Sequence, residues 1–514
     1  MNPDSRPAIK PPARAAADRR RGGLPYSPGL ALYGWLDRAC GLLIGAVILW
    51  GPWSFGCTPP WAIQVQNTLG YALGLCLLLR IALRRAQPAA WSARSLHRSG
   101  IEVALGSLSA ILLLYVFISA LNARMTLVPG SWTLAYHNSI SWLPHSYDQA
   151  STWRVFAIYL ALAGFFWAVR DWVLHPPPTR DQPSAGSDYP RLPRRVRVLL
   201  WVLCLNGALL AIQSILQRLT GSEQLLWLLT PRINKDPVSF FGPYAYRANA
   251  AQYFNLVWPV ALGFWWSSQH AVRHRFRRSS DTSAHAQPRS QRGHILLSCV
   301  LLMAVCPIVS TSRGGAIIMV GLAVVALAIL GLALWRSSWI SKLALLLALG
   351  SLVTFGVLLG WEELGPRMEM LQQGYEQREA MFDTGRRMAA DAPLFGTGPG
   401  TFSPLFQFYR RSATEYWPAQ MHNDWLETRI TFGSVGLGLL LAALAAALGR
   451  WFTRGGLPGE KNFVLLTWCA LGGCLVHARF DFPFQIPSLL ALFLLLCALL
   501  SCLSRPADGA GVEE

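Results

Sequence analysis

The sequence predicts an all-α, polytopic integral membrane protein with about twelve transmembrane helices and one long structured periplasmic loop. Of its 514 residues, 53% are hydrophobic and only 14% are charged, whereas soluble proteins carry about a quarter charged residues. The apolar residues form blocks such as 345–361. Windows of roughly 18 or more apolar residues are typical of transmembrane helices.

Twelve apolar segments are long enough to be spans, and the polar connections divide the chain into four parts. The predicted spans are 39–57, 61–82, 101–121, 152–174, 197–217, 249–267, 294–311, 315–335, 343–360, 432–449, 463–480 and 486–503. The parts are a basic tail (1–36), spans one to nine (37–360), a long outer loop (361–431), and spans ten to twelve with a short cytoplasmic tail (432–514). The Arg-, Pro- and Ala-rich tail lacks the apolar core of a signal peptide, and we expect it to be disordered.

The basic residues act mainly as orientation signals. The net charge of +19 would suggest nucleic acid in a soluble protein. Here Lys and Arg concentrate in the tail and in the connections 80–98, 175–197 and 268–293, which all lie on one side of the predicted topology. Short cytoplasmic loops carry such an excess. We therefore expect an inner-membrane protein with both termini cytoplasmic, bound to a bilayer and not to nucleic acid.

Polar chemistry is confined to the opposite, outer side. Its main segments are 122–151, 218–248 and 361–431, and the last is far longer than the ~12–15 residues usual for structureless loops. A tight turn places Arg313 at the outer interface, and a second turn, 477–487, carries Asp481 and Gln485. The ten cysteines show no C-x-x-C pattern, and the outer segments contain no Asp-x-Asp or His/Cys cluster with metal spacing. A disulfide framework or a metal site is therefore not indicated.

The stretch AQMHNDWLETR (419–429) is the densest group of polar residues, directly before span ten. If Asp424 is the helix N-cap, Glu427 falls at N3 and the two form a variant capping box. This structural interpretation leaves His422 unexplained. A histidine at a helix start is suited to proton transfer near neutral pH.

Two isolated arginines stand at outer ends of spans, Arg247 in YRANAA and Arg313 in STSRGG. A lone arginine can simply reach the membrane interface. Alternatively, a pair of guanidinium groups suits a diphosphate better than lysines would. Arg232 and Lys235 fit a solvated loop better than a site. The turn GTGPG (396–400) matches neither a dinucleotide fingerprint nor a P-loop, and it favours a tight turn for close packing over a phosphate nest.

Together these motifs resemble the O-antigen ligase and polymerase family of bacterial envelope enzymes. The residues carrying the resemblance are PLFGTGPGTF (393–402), QMHNDWLE (420–427), STSRGG (310–315), FFGPYAYRANAAQYFNLVWP (240–259) and DFPFQIP (481–487). Their order, and the long loop before a late span, fit the family from about residue 40 onward. One departure is Arg247-Ala248-Asn249, where family members often have Arg directly followed by Asn.

The resemblance implies a metal-independent glycosyltransferase without a cofactor, acting at the periplasmic face. Its donor would be a glycan on undecaprenyl diphosphate, and its acceptor a lipid A-core sugar or another glycan. Arg247 and Arg313 would hold the diphosphate, and His422 would be the general base or would position the acceptor. The residues expected to support them are Asn423, Asp424, Glu427, Asp481 and Gln485.

Two alternatives stay open at this point. A polymerase for O-antigen or exopolysaccharide would use the same donor and differ in its acceptor. A transporter for the same lipid belongs to another class, and such proteins commonly show internal repeats and ionisable residues at mid-membrane. The chain shows no internal repeat and almost no mid-span acids, which favours the enzyme.

Overall fold

The computed structural model is a bundle of long helices with a small sheet and short helices at one end. It describes residues 28–88, 100–128, 130–131, 133–178, 192–231, 235–278, 287–334, 364–369, 371–411, 418–453 and 460–503, with isolated positions between 335 and 363. The helices are α1 (Pro28–Trp53), α2 (Pro60–Ala86), α3 (Gly100–Leu121), α4 (Gln149–Leu174), α5 (Arg194–Leu219), α6 (Arg247–Arg278), α7 (Gln287–Val309), α8 (Arg313–Ala333), α9 (Leu371–Asp391), α10 (Phe402–Tyr409), α11 (Asp424–Thr453), α12 (Lys461–His477) and α13 (Pro487–Leu503).

Eight of the described helices are long and apolar enough to cross a membrane. This confirms the prediction of a helical, multi-pass membrane protein. Predicted span six lies within the longer α6, and spans eleven and twelve correspond to α12 and α13, which have 17 residues each. Most of predicted span nine (343–360) lies outside the described residues, so the count of twelve stays a prediction.

Two predicted boundaries differ from the structure. Helix α1 begins at Pro28, so the segment 28–36 is helical and does not belong to a disordered tail. Helix α11 begins at Asp424 and not near residue 432, because its first turns are polar and precede the apolar part. The helix is broken at Gly433, which has φ 62° and ψ −167°, a combination open mainly to glycine.

The segment between α3 and α4 contains the described strands, which the sequence did not predict. Strand β1 (Met125–Leu127) pairs antiparallel with β2 (Leu134–Tyr136), with Thr126 opposite Ala135. A three-residue strand gives too short a pattern to detect from periodicity. The hairpin forms part of the connection between α3 and α4.

A buried charge cluster joins four helices at one end of the bundle. Arg80 is fully buried and donates to Asp37 (2.6 Å) and Asp171 (2.9 Å), and Arg84 also donates to Asp171. Arg195 reaches the second oxygen of Asp37 at 2.6 Å. Because breaking a buried ion pair leaves an uncompensated charge, this cluster fixes α1, α2, α4 and α5 together.

The predicted outer segments meet at the other end of the bundle. Near the start of α4, the Thr152 hydroxyl donates to the carbonyl of Pro399 at 2.9 Å. Arg313 at the start of α8 donates to the carbonyl of Arg367 at 3.1 Å. Since the buried charge cluster involves Asp171 near the far end of α4, a 26-residue helix roughly 40 Å long separates the two ends.

Candidate active site

The turn after α12 is bound to the first residue of α11. The backbone N–H of Asp424 donates to the carbonyls of Ala478 (2.8 Å) and Asp481 (3.2 Å). Its carboxylate accepts hydrogen bonds from the backbone N–H of Phe484 (2.8 Å) and the side-chain amide of Gln485 (3.1 Å). Asp424 therefore joins two segments that are about sixty residues apart in the chain.

This link brings His422 against Asp481. The His422 Nδ1 lies 3.3 Å from the Asp481 carboxylate, with side chains 20% and 8% exposed, respectively. An ionised carboxylate cannot donate, so Nδ1–H is the donor and Nε2 is left as a proton acceptor. Burial alone would raise the pKa of Asp481, but the hydrogen bond and charge of His422, with the charges of His477 and Arg378, hold that pKa below its usual range.

Two aromatic rings pack against the imidazole. The His422 ring meets Phe482 edge-on at a centroid distance of 4.8 Å and Tyr246 at 5.8 Å, and these two rings stack on each other. The Tyr246 hydroxyl donates to the second oxygen of Asp481 at 3.3 Å. Burial, followed by the Asp481 charge, raises the pKa of Tyr246, so its hydroxyl stays protonated.

His422 itself has φ 54°, in the left-handed region that side-chain-bearing residues seldom adopt. Such a conformation persists when surrounding contacts determine it, and it is frequent at functional sites. The contacts to Asp481, Phe482 and Tyr246 are the described restraints on its ring.

The predicted capping box is wrong. The side chain of Asn423 accepts from the N–H of Leu426 at 3.2 Å, so Asn423 caps α11. Glu427 reaches back to the N–H of Met421 at 2.8 Å. Asn and Asp are equally good caps. Asn423 takes this role because the Asp424 carboxylate is bound to the Phe484 N–H and the Gln485 amide.

Four arginines lie near the His422–Asp481 pair and are called here the arginine cluster: Arg218, Arg247, Arg313 and Arg367. The positive charges of the other three act on Arg247. Arg218 and Arg247 donate hydrogen bonds to backbone carbonyls of the turn before α6. Arg218 donates to Pro237 and Phe240, and Arg247 donates to Val238 at 2.8 Å. Arg367 lies 4.0 Å from Asp236, an acid that is 57% exposed. A concentration of four guanidinium groups is suited to binding a multiply charged anion.

Tyr246 joins the two parts of the site. It precedes Arg247 in the chain and contacts both His422 and Asp481. The structure thus brings together His422, Asp481, Arg247 and Arg313 at one end of the bundle. Of the two arginine and lysine residues assigned to a solvated loop, Lys235 is exposed and Arg232 lies outside the described residues.

The GTGPG turn packs against α11 and α4. The N–H groups of Thr397 and Gly398 donate to the carbonyls of Ile430 (2.8 Å) and Thr431 (3.0 Å). A Cβ on Gly396 would lie 2.5 Å from the backbone nitrogen of Gly433. The interpretation as a close-packing turn is confirmed, and these N–H groups are occupied within the protein.

An apolar cavity of about 310 Å³ extends from the base of α11 between the helices α3, α4, α11 and α13. Asp424, Glu427 and Gln485 line its polar part, and side chains such as Leu112, Phe166 and Phe493 line the rest. Its lining is suited to a hydrocarbon chain. Within the described parts of the chain, no three or more His, Cys, Asp or Glu side chains are grouped as a metal site would require.

Sequence reasoning missed four of these residues: Tyr246, Arg218, Arg367 and Arg378. Tyr246 lies in the motif 240–259 and directly precedes Arg247. This position next to a candidate residue could have indicated a role for it. The three arginines gave no such signal, because charged residues on helical segments are usually solvated.

The fold and site define a polytopic helical membrane protein with a histidine–carboxylate pair beside a cluster of cations. Residues 298–441 match the family model described as O-antigen ligase, which confirms the predicted resemblance over this part of the chain. The match includes Arg313 and His422, whereas Arg247 and Asp481 lie outside it. It indicates a ligase- or polymerase-type function in O-antigen biosynthesis. A search of curated proteins found no match.

Proposed function

We propose that the protein is a glycosyltransferase of the O-antigen ligase type, working at the periplasmic face of the inner membrane. It moves a glycan from undecaprenyl diphosphate to a hydroxyl of lipid A-core. The observation that carries the proposal is the His422–Asp481 pair beside the arginine cluster, at one end of a bundle of membrane-type helices.

The arginine cluster, through Arg247 and Arg313, binds the diphosphate of the donor. Preorganised cations in a partly dehydrated site stabilise the charge that develops on a leaving phosphate. No metal is needed for this binding step, because the guanidinium groups supply the positive charge. The apolar cavity between α3, α4, α11 and α13 is a suitable place for a hydrocarbon chain of one of the two lipid-anchored substrates.

His422 acts on the acceptor. The acceptor oxygen attacks the anomeric carbon, its proton moves to Nε2 of His422, and the bond between that carbon and the phosphate oxygen breaks. Both electrons of the broken bond stay on the phosphate. Asp481 fixes the tautomer through Nδ1 and stabilises the imidazolium, and a positioned base of this kind contributes ~10²–10⁴ in rate.

Reconstitution of the purified protein in proteoliposomes tests the proposal. The donor is a labelled glycan on undecaprenyl diphosphate, and the acceptor is lipid A-core. Transfer to lipid A-core supports a ligase, and elongation of the donor without lipid A-core supports the polymerase. Movement of intact donor across the membrane without any new glycosidic bond would contradict both and support a transporter.

A further inference from the structure

Arg378 connects the outer helix α9 with the turn that holds Asp481. Its Nη1 donates to the backbone carbonyl of Phe480 at 2.7 Å, and Phe480 is the residue before Asp481. The guanidinium is therefore anchored one residue from the carboxylate that orients His422. Its side chain is partly exposed, so the group is accessible from the outer end of the bundle.

The charge of Arg378 reaches both halves of the site. It acts on Asp481 and Tyr246, which contact His422, and it also acts on Arg313 at the start of α8. Arg247, by contrast, has Arg218, Arg313 and Arg367 as its main charged neighbours. Arg378 is thus held at the Asp481 turn, and its charge acts both on the Asp481–Tyr246 side of the site and on Arg313 of the arginine cluster.

In the proposed reaction, the bond that breaks lies between these halves. One phosphate of the donor is attached to the sugar next to His422, and the other continues to the lipid. We propose that Arg378 stabilises the leaving oxygen on the sugar-side phosphate, while Arg247 and Arg313 bind the diphosphate in substrate and product alike. This inference rests on the proposed function.

The electron balance gives Arg378 a distinct kinetic signature. When the bond between sugar and phosphate breaks, the electron pair remains on the phosphate oxygen, so the released lipid diphosphate carries one more negative charge than the donor had. A cation at this oxygen gains strength in the transition state and in the product. Loss of Arg378 should therefore lower kcat and weaken product binding while leaving the donor KM nearly unchanged.

The test compares Arg378→Ala with Arg386→Ala in the reconstituted transfer assay. Arg386 is on the same helix, about half exposed, and its partners there are Glu379 and Asp383. We expect Arg378→Ala to lower kcat by about 10- to 100-fold, below the loss typical of an enclosed oxyanion donor because Arg378 is partly exposed. Added undecaprenyl diphosphate should inhibit this variant at least tenfold more weakly than wild type, and Arg386→Ala should behave as wild type.

Further variants separate this role from a structural one and from the proposed function. If Arg378 only holds the Phe480 carbonyl, kcat falls without a selective loss of product inhibition, and the inference is overturned. Arg378→Lys keeps a positive charge and should recover part of kcat and of product inhibition. If Arg378→Ala fails to fold, the comparison of Arg378→Lys with wild type still tests the inference. Unchanged kcat in Arg378→Ala likewise overturns the inference. Movement of intact donor by the wild-type protein without any new glycosidic bond would instead overturn the proposed function itself.

Discussion

Asp481→Asn is the substitution that most directly perturbs the proposed base without removing it. Asparagine has nearly the same shape, so contacts near Tyr246 and Phe482 can remain, but the negative charge facing His422 is lost. A hydrogen bond to a charged group contributes about 1.5–3 kcal/mol. Since a fifth of the His422 side chain is exposed, the lower part of this range applies, about 1.5–2 kcal/mol, or roughly 10- to 30-fold in kcat.

The assay is the initial rate of glycan transfer in proteoliposomes, normalised to folded protein. Asp383→Asn is the matched control, because it removes an acid on α9 that is about half exposed and pairs with Arg386. We expect the control to keep the wild-type rate. If Asp481→Asn retained wild-type kcat at a normal melting temperature, or if both variants lost activity equally, Asp481 would not orient the base.

Three further outcomes are expected. The low pKa of Asp481 means that its contribution to stability is fully present above the unfolded pKa of about 3.9 and is lost as the pH falls through the folded value. The difference in melting temperature between wild type and Asp481→Asn should therefore shrink below about pH 4, and a constant difference would refute this. Gly396→Ala should destabilise by more than about 2 kcal/mol, from strain at positive φ and a backbone clash, whereas Gly130→Ala, with φ 82° and open space around it, should cost only the strain. Thermal unfolding in detergent would show whether the two differ. Arg80→Ala should cost about 3–5 kcal/mol by leaving buried carboxylates unpaired, and a normal melting temperature would contradict the structural role of the buried charge cluster.

Much of the fold could be predicted, because apolar runs long enough to cross a membrane have few other uses. The boundaries were less certain where polar residues continue a helix outward, as at Asp424. The break at Gly433 could not be foreseen, since it depends on the approach of the GTGPG turn, which is distant in sequence.

The site was predicted as separate residues and not as an arrangement. His422 was selected because the cap interpretation left it unexplained, and Arg247 and Arg313 because a pair of guanidinium groups suits a diphosphate. Asp481 was selected because it lies on an outer turn, in a motif that carries the family resemblance. Their pairing depends on tertiary contacts between α11 and the turn after α12. Local spacing suggested a cap at Asp424, but Asn423 caps the helix. The Asp424 carboxylate binds Phe484 and Gln485 instead, and Glu427 binds the N–H of Met421.

The arginines of the outer helix show the limit of sequence reasoning most clearly. Arg378 and Arg386 lie on the same helix and look equivalent in the sequence. Only the position of α9 over the Phe480 carbonyl distinguishes them, with Arg378 near the site and Arg386 among exposed acids.

The central claim is that His422 accepts the proton of the acceptor during glycan transfer. The most direct measurement is kcat of His422→Ala and of wild type, from undecaprenyl diphosphate-linked glycan to lipid A-core, at saturating donor and equal amounts of folded protein. We expect a loss of at least about 100-fold with an unchanged donor KM, because the arginine cluster still binds the diphosphate. Transfer at the wild-type rate by His422→Ala would contradict the claim.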